Sequence, residues 1–509
     1  MLVSVVDSLF DAGRSPSVQL DSSGNPALSY LLYQPVLKKG EIPPAIKPGD
    51  PQPPSVMLAM LAKGIWARTS VTPQKTSPET GTATEIANSN GQAIPGVNTS
   101  LALDAQGKHH VAWATPKGLF YSTDAGGSFG PPGKVSGGST FGGSIAVGQD
   151  GTVWISFYAD GALKVAHGVG GKWTTDDVQK SAAGTAGSTT AVTSAIRVDP
   201  KGVPVVAFGR GSATMVAARS GGGWNAQAVT GRGGYGVSLA VDKNGIAVAS
   251  YDANGGIHEG RSASASIREG QGGPLWKVTD LGSTSALTAG QPDVRWSTGI
   301  ATDDQGHSYV TWADTKANTI VLGTDRGGQF KSQAVQGSSG GANPSIAVSA
   351  DGKREAVAWF DTVNANLDVA STSTGGLVLA FPTPTLGPPT AVAPSGPACQ
   401  PSGSTTSLSI AAPAGASANG FDKTCLAVVA GKPFKVDFTN NDTPPIVHNW
   451  ALFTNSSGTD QLGGGSVSQP VSPGQTQSYS IKALQPGQYF YRCDFHPTTM
   501  NGTFVVAKP

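Results

Sequence analysis

The segment SLALDAQG at residues 100–107 decides how most of this chain folds, because close copies of it recur along the sequence. Its first half is a short run of strand-forming residues, and its second half has the Asp/Gly composition of a tight turn. Six further copies begin at Ser17, Ser144, Ala195, Ser238, Gly299 and Ser345. Most neighbouring copies start 43–61 residues apart, and the longer first interval contains a Pro-rich insert at residues 38–54.

Each copy is followed by two more strand-like segments, such as HVAW at 110–113 and GLFYS at 118–122. A Gly-containing turn then ends in an aromatic residue. These aromatic residues are Trp66, Phe129, Trp173, Trp224, Trp276 and Phe330. Four short strands per repeat at this spacing are typical of a β-propeller blade. The sequence therefore predicts an all-β fold in which residues 1–381 form a seven-bladed β-propeller.

The last blade has two candidate outer strands. Residues 2–6 (LVSVV) come before the first repeat, in the position where the outer strand of one blade precedes each later repeat. The start of the chain can therefore supply the outer strand of the last blade and complete the ring. Residues 377–381 (LVLAF) are an equally good strand directly after the last repeat. The sequence does not decide between them.

The turn STDAGGSF at 122–129 resembles the Asp-box of sialidase-like propellers, and GTDRGGQF at 323–330 is a weaker match. In such a turn an Asp bonds backbone amides, Gly allows positive φ, and the aromatic residue packs between strands. We interpret Asp124 and Asp325 as structural residues. A sialidase-like enzyme would also need an arginine cluster and a Tyr/Glu pair at the central mouth, and no spacing in the sequence singles these out.

The composition changes after the last repeat. Residues 382–400 are rich in Pro, Thr and Ala, as in a linker with polyproline II character. Strand-like alternation resumes over residues 401–509, in segments such as FKVDFT at 434–439 and YFYR at 489–492. These segments predict a second domain with an antiparallel Greek-key β-sandwich.

The second domain contains a compact set of soft metal ligands in YRCDFHPTTMNG at residues 491–502. Two residues separate Cys493 from His496, and three separate His496 from Met500, so one short loop carries a thiolate, an imidazole and a thioether. His448 can supply a second imidazole from an earlier segment. Two His, one Cys and a weak axial Met form the ligand set of a blue-copper electron-transfer site.

With this order of ligands and the flanking strands, residues from about 400 onward resemble a cupredoxin (plastocyanin-like) domain. The resemblance implies one type 1 copper bound by His448, Cys493, His496 and Met500. It also implies that Asn449 ties the two ligand segments together. Phe495 and Pro497 are then expected to exclude water from the metal.

Composition limits the partners. The net charge is +1, only 13% of residues are charged, and no apolar run approaches the length of a membrane span. We therefore expect neither a nucleic-acid partner nor a transmembrane segment. The first six residues, MLVSVV, lack the basic start and the length of a signal peptide, so the mature chain begins here or a signal is missing from the sequence.

The remaining cysteines, Cys399 and Cys425, are a candidate disulfide pair; the alternative is two unrelated thiols. A disulfide implies an oxidising compartment, which is periplasmic, secreted or at the cell surface.

The resulting hypothesis is an extracytoplasmic type 1 copper protein that exchanges electrons with an unidentified redox partner protein, with the propeller as a binding or docking scaffold. The pattern favours a one-electron carrier over a catalyst. Multicopper oxidases need His-X-His pairs, which are missing from this sequence. Copper nitrite reductases need a His next to the ligand Cys, whereas Cys493 lies between Arg492 and Asp494. The alternatives are a non-redox binding or surface-assembly protein whose cupredoxin fold is only structural, and a carbohydrate-active propeller.

Overall fold

The computed structural model describes residues 1–507 except 9, 35–52, 63–64, 73–85, 88–92, 94–96, 181–192, 244, 263–275, 286–296, 373–400, 402–405, 444–445, 455–460, 466–469 and 496–499. The chain divides into two compact units, Met1–Thr383 and Pro384–Pro509. The predicted linker and the candidate outer strand at 377–381 lie outside the described residues. No helix in the described part has the length and the apolar character needed to cross a membrane.

The first unit consists of four-stranded antiparallel sheets, of which the described residues form seven. The first six sheets contain β2–β5 (Asp11–Leu20, Pro26–Tyr33, Ser55–Ala62, Ile65–Ser70), β6–β9 (Asn98–Leu103, His109–Thr115, Gly118–Thr123, Gly133–Gly137), β10–β13 (Phe141–Val147, Val153–Ala159, Ala162–Val169, Lys172–Gln179), β14–β17 (Ser194–Val198, Pro204–Arg210, Ala213–Ser220, Gly223–Thr230), β18–β21 (Tyr235–Asp242, Gly245–Tyr251, Gly256–Ser262, Lys277–Ser283) and β22–β25 (Thr298–Thr302, Ser308–Asp314, Thr319–Thr324, Lys331–Ala334). The last sheet contains β26–β28 (Gly341–Val348, Glu355–Asp361, Asn366–Ser371) together with β1 (Leu2–Asp7).

The first strands of these sheets contact one another in cyclic order, and β26 of the last sheet contacts β2 of the first. The predicted propeller is therefore confirmed. The repeated Ser explains part of the cohesion between blades, because its hydroxyl accepts a hydrogen bond from the first strand of the next blade. The donor and acceptor pairs are Leu101 N to Ser17 Oγ at 3.1 Å, Ile145 N to Ser100 Oγ at 3.2 Å, Ile196 N to Ser144 Oγ at 3.2 Å and Val18 N to Ser345 Oγ at 3.1 Å.

The repeated aromatic residues lie at the boundaries between blades. Each is partly buried and packs against the apolar core that its own blade shares with the preceding blade. The six residues, Trp66, Phe129, Trp173, Trp224, Trp276 and Phe330, each belong to a different core cluster. In the last blade, Val3 of β1 packs against the corresponding cluster. The aromatic residues that recur in the sequence thus pack at successive interfaces between blades.

The outer strand of the last blade is β1, which pairs antiparallel with β28 from Leu2 opposite Ser371 to Asp7 opposite Leu367. The start of the chain therefore closes the ring. Asp7 also joins this strand to the first blade: its carboxylate accepts hydrogen bonds from Tyr30 Oη and Arg68 Nη1, each at 2.5 Å. The Asp7 side chain is fully buried, whereas that of Arg68 is 30% exposed.

The two Asp-box-like turns use their carboxylates to hold neighbouring strands. Asp124 Oδ1 accepts a hydrogen bond from the backbone N–H of His109 at 2.7 Å, and Asp325 Oδ1 accepts one from Ser308 at 2.7 Å. Gly127 and Gly328 adopt φ values of +102° and +88°, which favour glycine. Both carboxylates therefore satisfy backbone donors at the starts of β7 and β23.

A buried carboxyl group in the last blade predicts pH-dependent stability. Burial, together with the nearby Asp361 carboxylate, raises the pKa of Asp368 from 3.8 to about 7, and its Oδ1 atom has no hydrogen-bond partner. The folded state thus favours the protonated acid, so ionisation of Asp368 lowers the free energy of unfolding. This destabilisation grows as pH rises from about 4 to about 7 and is constant above that. One pKa unit corresponds to about 1.4 kcal/mol, which makes the full destabilisation by the ionised carboxylate on the order of 4 kcal/mol.

We therefore expect Asp368→Asn to be more stable than the wild type at pH 8, by about 2–4 kcal/mol, and to differ by less than about 1 kcal/mol at pH 4. Denaturant unfolding of the propeller at both pH values measures this difference. The control is Asp160→Asn, at an exposed carboxylate of the propeller, which should give a similarly small change at both pH values. An equal effect of Asp368→Asn at both pH values would contradict the prediction.

The second unit is a sandwich of two sheets. One sheet has the order β29-β31-β34, and the other has the order β30-β36-β35-β32-β33. The strands are β29 (Ser407–Ala412), β30 (Cys425–Val429), β31 (Phe434–Asn440), β32 (Ala451–Phe453), β33 (Gln461–Gly464), β34 (Thr476–Ile481), β35 (Gly487–Arg492) and β36 (Asn501–Ala507). One short helix, α1 (Ala416–Asn419), connects β29 to the segment before β30. Trp450, Phe438 and Tyr491 are fully buried in the core between the sheets.

This sandwich differs from the prediction in one respect. The sequence predicts antiparallel strands throughout, but β29 pairs parallel with β31, and β30 pairs parallel with β36. In both cases an edge strand pairs with a strand that is not its neighbour in sequence. Alternation in a sequence indicates which residues face the core, but it carries no information on the direction of the partner strand.

Candidate metal centre

The loop between β35 and β36 carries the predicted soft ligands. Cys493 follows the end of β35 directly, and its backbone N–H donates to the carbonyl of Met500 at 2.8 Å, just before β36 begins. This bond holds the two ends of the loop together. The side chains of Cys493 and Met500 belong to the same apolar core cluster, and neither residue is exposed. His496, between them, lies outside the described residues.

His448 approaches the same point from another segment. It forms an isolated antiparallel bridge with Val471, which fixes its backbone through hydrogen bonds of 3.2 and 2.8 Å. The imidazole is completely buried, and its Nδ1 atom lies 3.7 Å from Sγ of Cys493. Protein nitrogen and sulfur ligands bind a d-block metal such as zinc at about 2.0 and 2.3 Å. Because these lengths sum to more than the observed separation, one ion can touch both atoms.

The other nitrogen of His448 is held by a carboxylate that the sequence analysis missed. His448 Nε2 lies 2.9 Å from Oδ2 of Asp442, and both side chains are fully buried. A carboxylate accepts and does not donate, so Nε2 carries the proton and Nδ1 presents its lone pair toward Cys493. A carboxylate behind a ligating His in this way orients the ring and raises its basicity.

Asp442 is fixed in turn by the backbone. Its Oδ1 atom accepts hydrogen bonds from the amides of Gly415 at 2.7 Å and Thr443 at 2.8 Å. Burial acts to raise the pKa of Asp442, but the hydrogen bonds from His448, Gly415 and Thr443 outweigh it and lower the pKa to about 2. The carboxylate is therefore charged at neutral pH. Asp442 follows β31 by two residues and lies six residues before His448, in a stretch that does not mark it as different from other acidic residues.

Asn449 lies between the two ligand segments. Its backbone N–H points to Sγ of Cys493 at 3.5 Å, and its side-chain amide donates to Asp494 Oδ2 at 2.8 Å. The amide of Asp494 donates back to Asn449 Oδ1 at 2.7 Å. Arg492 also donates to Asp494, at 2.9 Å, so the residue after Cys493 is held from both sides.

The remaining predicted residues are only partly described. Phe495 is partly buried and packs against the core of the sandwich, whereas Pro497 lies outside the described residues. Cys425 lies at the start of β30, but Cys399 is outside the described residues, so their disulfide stays a prediction. Over the described ranges, no three His, Cys, Asp or Glu side chains form a cluster with metal-binding spacing. Two of the four predicted copper ligands, His448 and Cys493, are of these residue types and lie within the described ranges, so the predicted site could not appear as a cluster of three.

The histidines of the propeller do not form a comparable centre. They are spread over four blades, with His109 and His110 on the same strand, β7. Each has an acidic neighbour: Asp124 beside His109, Asp104 beside His110, Asp176 beside His167, Asp280 and Asp252 beside His258, and Asp303 beside His307. They are thus dispersed in individual His–Asp pairs.

Comparison with known proteins places the sandwich of the second unit in a family. Residues 414–506 match the sequence profile of the cupredoxin-like domain. This part of the chain is a cupredoxin-like domain. The family comprises copper-binding electron-transfer domains, and the match includes His448, Cys493 and Met500.

Copper-containing nitrite reductases of Neisseria meningitidis and Neisseria gonorrhoeae are 37% identical to the chain over 89 residues. The match covers 16% of this chain and 22% of each reductase, so the chain spans about a fifth of the length of these relatives. Among solved structures, auracyanin from Roseiflexus castenholzii is 21% identical, with a TM-score of 0.19, covering 21% of this chain and 99% of auracyanin. The Hadza microbial sialidase Hz136 is 11% identical, with a TM-score of 0.39, covering 73% of this chain and 68% of the sialidase.

Proposed function

We propose that the cupredoxin-like domain binds one type 1 copper ion and carries single electrons, outside the cytoplasm, to or from a partner protein. The observation that carries this proposal is the approach of His448 Nδ1 to Cys493 Sγ in a fully buried site, with Nε2 committed to Asp442. His448, Cys493, His496 and Met500 are the proposed ligands. Copper would supply the one-electron couple.

The protein's own residues would fix the ligand geometry before the metal arrives. Asp442 holds the ring and the tautomer of His448, while the amide of Asn449 points a hydrogen bond at the sulfur. The buried aromatic core around Trp450 and Tyr491 keeps water from the described part of the site. A rigid, dry ligand set changes little between the two oxidation states, which favours rapid electron exchange.

The setting and the role of the propeller belong to the same proposal. The predicted Cys399–Cys425 disulfide would persist only in an oxidising compartment, which supports an extracytoplasmic location. Propellers present their channels and loop-bearing faces to ligands, and the propeller here is proposed to be the scaffold for binding or docking.

The experiment is reconstitution of the purified full chain with Cu(II), followed by metal analysis, visible absorption and a spectroelectrochemical titration. We expect one copper per chain, an intense visible thiolate-to-copper band and one reversible one-electron couple. The zinc-loaded protein is the control and should show neither band nor couple. Copper binding without a reversible couple would contradict the proposal and favour a non-redox scaffold.

The Asp442 carboxylate yields a sharper prediction within this proposal. In Asp442→Asn the side-chain oxygen must still accept from Gly415 and Thr443, so the amide N–H group faces His448. His448 then accepts at Nε2 and carries its proton on Nδ1, the atom aimed at Cys493. We expect the copper affinity to fall about 10–100-fold, as when other residues behind metal ligands are replaced.

Competition titration of Cu(I) and Cu(II) against a chelator measures the loss in Asp442→Asn. The matched control is Asp437→Asn, on β31 of the same sandwich, where the partly exposed carboxylate accepts a hydrogen bond from the Ser478 hydroxyl. That variant should bind copper like the wild type. Equal affinity of the two variants would show that Asp442 does not set the tautomer of His448.

A further inference from the structure

The first strands of the propeller blades surround a central cavity of about 380 Å³. Its described walls carry many hydroxyl and amide side chains, among them those of Ser15, Asn98, Ser238, Thr298 and Asn343. Small-molecule sites in proteins typically have volumes of about 300–1,000 Å³ and use a few convergent polar groups to orient the ligand. The cavity therefore has the size and the lining of a site for a small polar molecule.

One residue in this cavity breaks the repeat of the sequence. The position two residues after the repeated Ser is alanine in five of the seven copies and glutamine in one: Ala102, Ala146, Ala240, Ala301, Ala347 and Gln19. In the fourth copy it is Arg197, on β14, which lines the cavity. A single guanidinium thus replaces a methyl group of the repeat, in one blade only.

Arg197 has no acidic partner in the described part of the chain. It makes one hydrogen bond to the described residues, from Nη1 to the carbonyl of Ile196 at 2.7 Å, so four of its five N–H donors have no acceptor among them. Burial lowers the pKa of Arg197, and no carboxylate opposes this effect. By contrast, Arg14 of the same cavity is paired with Asp11, at 2.9 Å. An enclosed cation without a counter-charge is unfavourable unless something compensates it.

A second polar group in the cavity also lacks a partner. Ser297, directly before β22, lines the cavity, and its Oγ atom is buried without any hydrogen bond. Buried hydroxyl groups in native proteins nearly always have a partner. The cavity thus holds an uncompensated cation and an unsatisfied hydroxyl among many polar neighbours, and a bound anion can compensate the cation.

We propose that this cavity binds a small polyhydroxylated anion of about monosaccharide size, held at its anionic group by Arg197. The guanidinium fork suits the paired oxygens of a carboxylate or a phosphate, which share this chemistry. The hydroxyl and amide side chains of the walls suit the hydroxyl groups of the ligand. This proposal rests on the binding role proposed for the propeller and names the chemical class of the ligand. The cavity does not involve copper, so its test and the copper test succeed or fail separately.

The test uses the full chain in a chloride-free buffer and isothermal titration with three probes: D-glucuronate, inorganic phosphate and neutral D-glucose. We expect glucuronate or phosphate to bind at least tenfold more tightly than glucose, and the comparison of the two anions separates carboxylate from phosphate recognition. Arg197→Ala introduces the residue that five of the other six blades carry, so it should fold, and it should weaken binding of the anion at least tenfold. Arg232→Ala, at an exposed arginine, should bind like the wild type.

A stability measurement accompanies the titration. Without added anion, Arg197→Ala should unfold at a higher temperature than the wild type, because an uncompensated cation is removed, and the preferred anion should reverse the order. The proposal is overturned if neither anion binds more tightly than glucose, or if Arg197→Ala binds the anion as well as the wild type. It is also overturned if the variant is less stable than the wild type both with and without anion, since Arg197 would then be a structural residue.

Discussion

Copper-loaded Cys493→Ala is expected to have no intense visible band and no reversible one-electron couple at the potential of the wild type. The sulfur is the group whose charge transfer to Cu(II) would produce the band, and the described part of the sandwich offers no second cysteine facing His448. Cys493 is completely buried, and its Sγ lies 3.7 Å from His448 Nδ1. Absorption and voltammetry of the reconstituted variant measure both losses.

Loss of the band in this variant has to be separated from misfolding. Alanine removes the acceptor that the Asn449 amide faces, so a loss of about 1 kcal/mol in unfolding free energy is expected. Cys493→Ser is the matched control, because it keeps the size and a hydrogen-bond acceptor but lacks the thiolate. Both variants should retain the circular dichroism of the wild type and both should lack the band. An intense band in either folded variant would exclude Cys493 as the ligand.

Asp7→Ala is expected to destabilise the propeller by about 3 kcal/mol, the low end of the range for breaking a buried ion pair. The substitution leaves the buried Tyr30 hydroxyl and the Arg68 guanidinium without the carboxylate that both contact at 2.5 Å. We choose the low end because the Arg68 side chain is 30% exposed and can be hydrated. Chemical denaturation monitored by tryptophan fluorescence measures the change.

A surface ion pair in the same propeller is the control for Asp7. Asp177 and Lys164 are 2.8 Å apart on β13 and β12, with side chains 43% and 21% exposed. Asp177→Ala should cost less than about 1 kcal/mol, as is usual for exposed pairs. If both alanine variants lose the same small amount, Asp7 does not anchor the closing strand.

The repeat in the sequence predicts most of the propeller because its signals are local. The apolar run, the Asp/Gly turn and the aromatic position each recur within one blade, and each has a role inside that blade or at its boundary. The source of the last outer strand could not be predicted. Residues 2–6 and 377–381 have similar strand patterns, and the choice depends on contacts between residues more than 360 positions apart.

In the candidate copper centre, too, local sequence features could be predicted and contacts between distant residues could not. The types and spacing of Cys493, His496 and Met500 predict a ligand loop, and His448 is singled out by its position after a strand. Asp442 and Asp494 could not be singled out, because a carboxylate reveals its role only when the fold brings it against His448 or Asn449. Nothing in their local sequence distinguishes them from exposed acidic residues.

The pairing of β1 with β28, which closes the ring, also determines when the propeller can be completed during synthesis. Residues 2–7 leave the ribosome long before their partner strand, which ends at Ser371, has been made. At about 5–20 residues per second, the interval before pairing is roughly 20–70 s. Throughout that time β1 has no partner strand, and unpaired strands in incomplete folds are prone to aggregation.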